Sequence, residues 1–305
     1  MDNLSKLLAE KTGWADLLND LEEKISGSEL NSLLLELFRK RAKKNSPQAL
    51  LKQFEKNRFA QPSMVDTIEL LELELRCLKL AKRKNFNLVT LSPLTSLGTS
   101  SVVGHVDQNN VVSALRGTEV VSDATNVFAL LIAKEFKKNK VHPVLKYATT
   151  QRHVRSQSLS NPAFTPHFGL FCMASGGLDK GNYFFELENL FEHIHIHLSL
   201  LNNEFAKEKL ILKCYLKEEN ENFRLKFEKY IKELDPSLLT KIVTEKNPGD
   251  YYKLVQFKIF LKQDGKEINL SDGGTVDWTQ KLIPNKKHRL VISGIGTELV
   301  TKMKK

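Results

Sequence analysis

Arg152, His153 and Arg155 lie within one short stretch, YATTQRHVRSQ, and His167 follows after the polar segment SQSLSNPAFTP. A guanidinium is a planar fork of donors that stays charged at any working pH, so two arginines flanked by imidazoles can grip a phosphate or a carboxylate. The same residues also suit a plain polar hairpin loop on a basic protein. Arg116, Glu119 and Asp123 in LRGTEVVSDATN form a mixed-charge turn ahead of a helix, with Asp123 or Thr125 placed to cap its first amides. Asp272, Gly273, Gly274 and Asp277 in SDGGTVDW fit a tight turn against a small ligand or a simple β-turn. Gly294 and Gly296 sit in a buried-strand pattern, which implies that a helix or a flat ring approaches the backbone there.

His193, His195 and His197 in EHIHIHL are the densest set of metal-type donors. On a strand all three share a face and can ligate zinc; on a helix only His193 and His197 do, four residues apart, with Glu188 and Glu192 near. The bland reading is a surface or interface cluster. Cys77, Cys172 and Cys214 are odd in number and far apart, with no C-x-x-C pair, so they read as small core hydrophobes rather than a disulfide or zinc framework. No nucleophile elbow, P-loop or G-x-G-x-x-G occurs, which leaves hydrolase, kinase and dehydrogenase readings without a motif.

Two textures position these residues. Up to about residue 85, leucines recur at helical spacing in SELNSLLLELFRKRA and VDTIELLELELRCLKLAKRK, with Ser26 and Glu29 forming a capping box and Asp66 near a helix start. Three or four helices are expected, with breaks near 27, 45 and 62. From 86 onward, short β-branched runs predominate. VLKYATTQRHV, HFGLFCMAS and KLILKCYL are expected as strands, while TNVFALLIAKEFKKN, ELENLFEHIHIHLSLLNNEFA, FRLKFEKYIKEL and PSLLTKIV are expected as helices. YYKLVQFKIFLKQDGKEINLSDGG is a hairpin turning at Asp264 and Gly265. RLVISGIGTELVTKMKK is a buried strand running into a short helix. Strands outnumber crossover helices, so the expected fold class is α+β on a largely antiparallel sheet.

At 305 residues, with 41% hydrophobic and 27% charged, the chain has ordinary globular composition and room for one large domain or a core with an appendage. Long apolar runs are absent and the first residues are interrupted by charge, so neither a membrane span nor a secretory leader is expected, and the chain is placed in the cytoplasm. The net charge of +10 favours an anionic partner, nucleic acid or a phosphorylated metabolite. Its densest patches, Arg39, Lys40, Arg41, Lys43, Lys44, Lys52, Lys56 and Arg58, then Lys134, Lys137, Lys138 and Lys140, also read as solvated helix faces.

The order of these signals from 86 to 305 resembles the catalytic core of class II aminoacyl-tRNA synthetases, and within them the histidyl branch. A helix and strand closing on Leu91-Ser92-Pro93 are similar to the first family motif, and VVSDATNVFALLIA resembles L-R-P-E-x-T through Asp123 and Thr125. YATTQRHVRSQ with FTPHFGLF resembles the second motif. GDYYKLVQFKIFL resembles R-G-L-D-Y-Y-t-G-x-x-F through Asp250, Tyr251, Tyr252 and Phe257, SDGGTVDW resembles G-G-G-R-Y-D-x-L through Gly273, Gly274 and Asp277, and SGIGTEL resembles the third motif through Gly294, Gly296 and Glu298. The resemblance implies a synthetase-like core over 63–305 without an anticodon-binding domain, a helical N-terminal extension over 1–62, and a homodimer through the helix and strand of 66–93.

The departures from that pattern bear on function. Val154 stands at the second motif's Glu position, Leu299 at the third motif's arginine, and Asn247 at the histidyl arginine. Thr275 replaces the arginine of G-G-R-Y-D, and a valine replaces the arginine of L-R-P-E. Even one preorganised donor to a developing oxyanion contributes about 3 kcal/mol, so these losses remove most of the field that adenylate chemistry needs. The expected protein is a non-aminoacylating paralogue that binds a small anionic or amino-acid ligand or regulates a partner enzyme, resembling the regulatory subunit of ATP phosphoribosyltransferase. Its ligand-binding residues would be Arg152, Arg155, His167, Asp123, Thr125, Tyr251, Asp277 and Glu298. The competing readings are an adenylate-forming ligase for a non-tRNA acceptor, with ATP on Arg152 and Arg155 and Mg²⁺ or an amine on Glu298, Asp272 or Asp277, and a tRNA- or DNA-binding accessory protein.

Overall fold

The computed structural model describes residues 3–138, 143–157, 165–216, 221–234, 240–244 and 251–304. Four helices open the chain, α1 (Asn3–Thr12), α2 (Leu17–Glu23), α3 (Gly27–Ala42) and α4 (Pro47–Lys56). The breaks fall at the expected places, with one more at Gly13, whose φ of +72° is the left-handed geometry that glycine adopts without strain. Ser26 and Glu29 form the full capping box of α3, and the next helix, α5 (Thr67–Arg83), starts on Asp66, whose carboxylate accepts from the amides of Ile68 and Glu69.

The core follows as β1 (Asn87–Leu88), β2 (Leu94–Ser96), a π-helical turn over Thr99–Val103, β3 (Ser113–Ala114), β4 (Thr118–Val120), α6 (Ala124–Lys138), β5 (Leu145–Val154), β6 (His167–Leu178) and α7 (Phe184–Asn202). It continues with β7 (Leu210–Leu216), α8 (Glu221–Leu234), β8 (Thr240–Thr244), β9 (Val255–Gln263), β10 (Lys266–Val276), α9 (Trp278–Leu282), β11 (His288–Ile295) and α10 (Thr297–Met303). Eight strands form one sheet in the order β1-β5-β6-β11-β10-β9-β7-β8, parallel only at the pairs β1/β5 and β7/β8, and β2-β4-β3 form a small second sheet. The fold is α+β with a mostly antiparallel sheet flanked by helices.

One expected helix is corrected. Thr240–Thr244, inside PSLLTKIV, is strand β8, paired in parallel with β7, because a run ending in β-branched residues adds naturally to an open sheet edge; the start of that segment lies outside the described residues. The β9–β10 hairpin turns at Asp264 and Gly265, both at positive φ (51° and 73°), the two-residue turn whose twist matches the flanking strands.

Strand periodicity divides the interior into two layers. Phe171, Met173, Val291 and Ile295 face one side of the sheet, where α5, α7, α8 and α10 supply Cys77, Leu190, Ile194, Phe227 and Val300. Cys172, Ala174, Leu290 and Ile292 face the other, beneath α6 and α9 with Phe128, Ile132 and Trp278. Gly176 and Gly177 belong to this packing: a Cβ on them would lie 2.6 Å from Ile132 and 2.5 Å from the Phe185 ring. The three cysteines are all buried and free. Among the described residues, no helix is long and apolar enough to cross a membrane.

Candidate functional site

On the α6 side of the sheet, over β6, β10 and β11, lies a cavity of about 930 Å³. Its lining includes Leu170 and Cys172 from β6, Asp272 from β10, and Ile292 and Gly294 from β11. Gly294 leaves the wall low, since a Cβ there would stand 3.5 Å from the nearest atom. Gly273 and Gly274 serve packing within the sheet instead, a Cβ on Gly274 falling 2.2 Å from the Val255 carbonyl. Asp272, Gly273 and Gly274 are therefore mid-strand, not a turn, and pair with Gly294, Ser293 and Ile292.

At one end Arg152 meets Glu298. Arg152 lies on β5 opposite Gly169, and Glu298 is in the first turn of α10, carried there by β11 next to β6. Both Arg152 terminal nitrogens donate to Glu298 Oε2, at 3.0 and 2.9 Å, and Nη1 also donates to His167 Nδ1 at 2.8 Å. Lys302, one helical turn on, donates to Glu298 Oε1 at 2.8 Å, and the Ser63 hydroxyl donates to the same oxygen. His167 passes its Nε2–H to the Gln61 carbonyl at 2.6 Å. Burial by itself would raise the Glu298 carboxyl, but the hydrogen bonds of Lys302 and Ser63 and the Lys302 and Arg152 charges outweigh it and hold the group below its ordinary value. Glu298 is 2% exposed. The segment joining α4 to α5 thus seals this end with its own chain, helped by Arg58, which donates to the carbonyls of Ser156 and Gln157 at 3.0 and 3.3 Å. Glu74 of α5 accepts from the Thr297 hydroxyl at 3.0 Å behind it, its carboxyl raised mainly by burial.

At the other end Asp123, Thr125, Arg155, Tyr251, Tyr252 and Asp272 converge. Asp123 caps α6, accepting from the Thr125 amide at 2.9 Å and hydroxyl at 2.7 Å. Its second oxygen faces the Tyr251 hydroxyl at 3.5 Å and Arg155 at 3.7 Å. Arg155 is steered there by a 3.0 Å bond from Nε to the Ser122 carbonyl and by the Phe168 ring beneath it. Asp272 accepts from Tyr252 at 3.4 Å and forms no ion pair among the described residues. Burial, then the Asp123 charge, pushes its carboxyl up to about 6. His153, directly behind, accepts from the Ala124 amide at 2.9 Å and donates from Nδ1 to the Gln151 carbonyl at 3.0 Å, which fixes it neutral; burial lowers it to about 4. An anion or carboxylate could meet Arg155 here, and an amine Asp123 or Asp272.

Of the sequence-derived residues, Arg155, Asp123, Thr125, Tyr251 and Glu298 line the cavity, and Arg152 and His167 stand at its sealed end. Asp277 does not reach it. It stands at the start of α9, paired with Lys253 at 3.6 Å and Lys281 at 3.2 Å. Asn247 and Asp250 lie outside the described residues. Sequence reasoning missed Lys302 and Glu74, whose only signal was helical spacing from Glu298 or from the leucines of α5, and Ser63, which carries no local signal. It also took Glu119 for a turn residue. Glu119 is fully buried, accepting from the amides of Gly98 and Ser100, the Ser100 hydroxyl and the Gln108 amide, and so holds the π-helical turn in place.

The histidine cluster is a correction. His195 is exposed on α7, but His193 and His197 are fully buried against the sheet, not on a surface. His193 bonds Ser175 at 2.9 Å and Ser293 at 2.8 Å, Ser293 bonds His197 at 3.0 Å, and His197 bonds Ser271. Their partners are hydroxyls, and among the described residues no group of three or more His, Cys, Asp or Glu side chains is arranged for a metal.

No family model matches the chain, and no curated protein matches it. Solved structures do. The chain is similar to an ATP phosphoribosyltransferase regulatory subunit/histidyl-tRNA synthetase from Bacillus halodurans, at 12% identity and a TM-score of 0.61, over 80% of this chain and 82% of that one. It is similar to the apo histidyl-tRNA synthetase of S. aureus at 13% identity and a TM-score of 0.60, over 79% and 67%. A putative threonyl-tRNA synthetase from Aeropyrum pernix aligns at 12% identity and a TM-score of 0.59, over 77% of this chain and 59% of that one. At such identities the likeness is one of architecture: the eight-stranded sheet with its cavity is a class II aminoacyl-tRNA synthetase-like fold.

Proposed function

We propose that this chain is a non-aminoacylating synthetase-like paralogue that binds a small ligand in the cavity and acts as a regulatory or accessory subunit. One observation carries the reading. Arg152, the arginine retained at the second-motif position, is paired with the buried Glu298 and with His167, which are themselves held by Ser63 and Gln61. A guanidinium already neutralised by a buried carboxylate is a poor anchor for a triphosphate, because separating the pair would leave Glu298 desolvated. Leu299 adds no charge at the next site.

The remaining polar end suits an amino-acid-like or small anionic ligand, with Arg155 toward a carboxylate or phosphate and Asp123, Thr125 and Tyr251 around it. We place the protein in the cytoplasm, with an N-terminal helical extension over 1–62 and the ligand-binding core over 63–305. We also propose a homodimer through α5 and the strand after it, supported by the stripe Ile68, Leu71 and Leu75, each at least 50% exposed on an otherwise packed helix. The Bacillus halodurans neighbour supports a partner enzyme by analogy of fold alone.

Arg155 favours a second reading, an adenylate-forming ligase, since its 3.7 Å pairing with Asp123 leaves donors facing the cavity. Pyrophosphate exchange with ATP, Mg²⁺ and each amino acid separates the two. The pseudoenzyme reading expects no exchange above background; exchange abolished by Arg155→Ala would overturn it. A thermal-shift screen against amino acids and phosphorylated sugars should find a ligand that raises the midpoint in the parent and not in Arg155→Ala.

A further inference from the structure

Helices α1 to α4 contain no buried residue. Leu7, Trp14, Leu33, Phe38, Leu50 and Phe54 are 45% to 57% exposed. Helices of 10, 7, 16 and 10 residues are marginal in water by themselves, because a short helix gains most of its stability from covering its apolar face.

The charges of the same segment indicate what covers it. Residues 3–36 carry seven carboxylates against three lysines, whereas residues 37–62 carry eight Lys and Arg against Glu55 alone. Ion pairs within the segment involve Asp20 with Lys24 and Glu36 with Arg39 and Lys40. Glu22, Glu23, Arg41, Lys43, Lys44 and Lys52 enter none among the described residues. A chain whose leading half is acidic and trailing half basic is complementary to itself about a two-fold axis. There the acidic half of each copy meets the basic half of the other, and both contacts form at once. A nucleic acid would be drawn to the trailing half and repelled by the leading half, and it would leave the leucines uncovered.

We propose that α1–α4 dock on α1–α4 of a second copy of this chain, antiparallel, with the leucines and aromatics at the centre and the opposite charges at the rim. The contact is separate from the α5 stripe and does not depend on what the cavity binds.

The test uses the full chain in sedimentation velocity, with two charge-reversal variants. Glu10→Lys/Glu22→Lys/Glu23→Lys makes both halves of the segment net basic, and Arg41→Glu/Lys43→Glu/Lys44→Glu/Lys52→Glu/Lys56→Glu makes both halves net acidic. Each alone should weaken this self-association about tenfold or more. Mixed together they should form a heterodimer, because each half then faces its opposite again. Leu50→Asp/Phe54→Asp should weaken the contact in every background, and an unchanged thermal midpoint for the core shows that folding is intact. Ile68→Asp/Leu71→Asp, which alters only the α5 stripe, should leave it in place. The proposal is overturned if the reversed chains associate as the parent does, if mixing them restores nothing, or if the parent is monomeric and its basic half binds RNA with steep salt dependence instead.

Discussion

Arg152 is tied down by a carboxylate far from it in the chain. With 40% of its side chain exposed against 2% for Glu298, it is the solvent-side partner of a buried carboxylate. Removing it leaves Glu298 with Lys302 and Ser63 alone. Arg152→Ala should therefore destabilise the fold by about 2 kcal/mol, the scale of a charge-assisted hydrogen bond lost to a buried acceptor, and Arg152→Ala/Glu298→Gln should recover part of it. Urea denaturation of Arg152→Ala, Glu298→Gln and the double variant checks this; losses that simply add would mean that the pair does not couple. Asp272 makes the opposite case. Its folded pKa of about 6 lies above the ordinary carboxylate value of 3.8, so the fold favours the protonated acid. That contribution is present below about pH 4 and is lost as pH rises through 6. Asp272→Asn should accordingly stabilise the protein by about 2 kcal/mol at pH 7, with the gain vanishing below pH 4. A pH-independent difference would show that the carboxylate has another partner.

Elements carry the next level of constraint. Helix α7 is apolar on nearly every side and still holds two imidazoles in its buried face, because Ser175, Ser271 and Ser293 on three adjacent strands present hydroxyls at matching heights. The network satisfies polar groups that would otherwise be stranded in the core, and it fixes the register of the helix over the sheet. Burial lowers both histidines, His197 to about 3. A histidine whose folded pKa is depressed stabilises the fold above its unfolded value near 6.5, and loses that contribution as pH falls from 6.5 toward 3. Stability should thus fall steeply in that window, and the fall should be shallower in His193→Ala, which at pH 7 is also less stable by about 3 kcal/mol through its cavity and orphaned hydroxyls. Denaturation midpoints at several pH values distinguish this from acid loss of carboxylate pairs, which begins below pH 5.

For the whole molecule, uncovered apolar surface is the outstanding feature. The sheet and its two helical layers are packed as a finished core, yet α5 displays Ile68, Leu71 and Leu75 and the helices before it display their leucines. If α5 is a dimer face, Leu71→Asp should shift the proposed core dimer toward smaller species in light scattering, with association weakened by about 2 kcal/mol or more. It should leave ligand-induced thermal shifts of the core in place. An unchanged mass would remove α5 from the interface.

The sequence by itself determined most of the elements and their order, the strand β8 excepted. Leucine spacing marked the helices, alternation marked β5, β6 and β9, and the Asp264-Gly265 pair marked the hairpin, because these depend on residues near one another in the chain. The short motif fragments were enough to place the fold class. What the chain does with its charges was decided only in three dimensions. Glu298 lies 146 positions from Arg152 and 235 from Ser63, and no local pattern reveals that the three meet. Nor does a triple of alternating histidines disclose that two of them face serines on three strands. An ion pair or a buried network is a property of distance and dielectric, and those are set when the sheet orders its strands and the helices close over them.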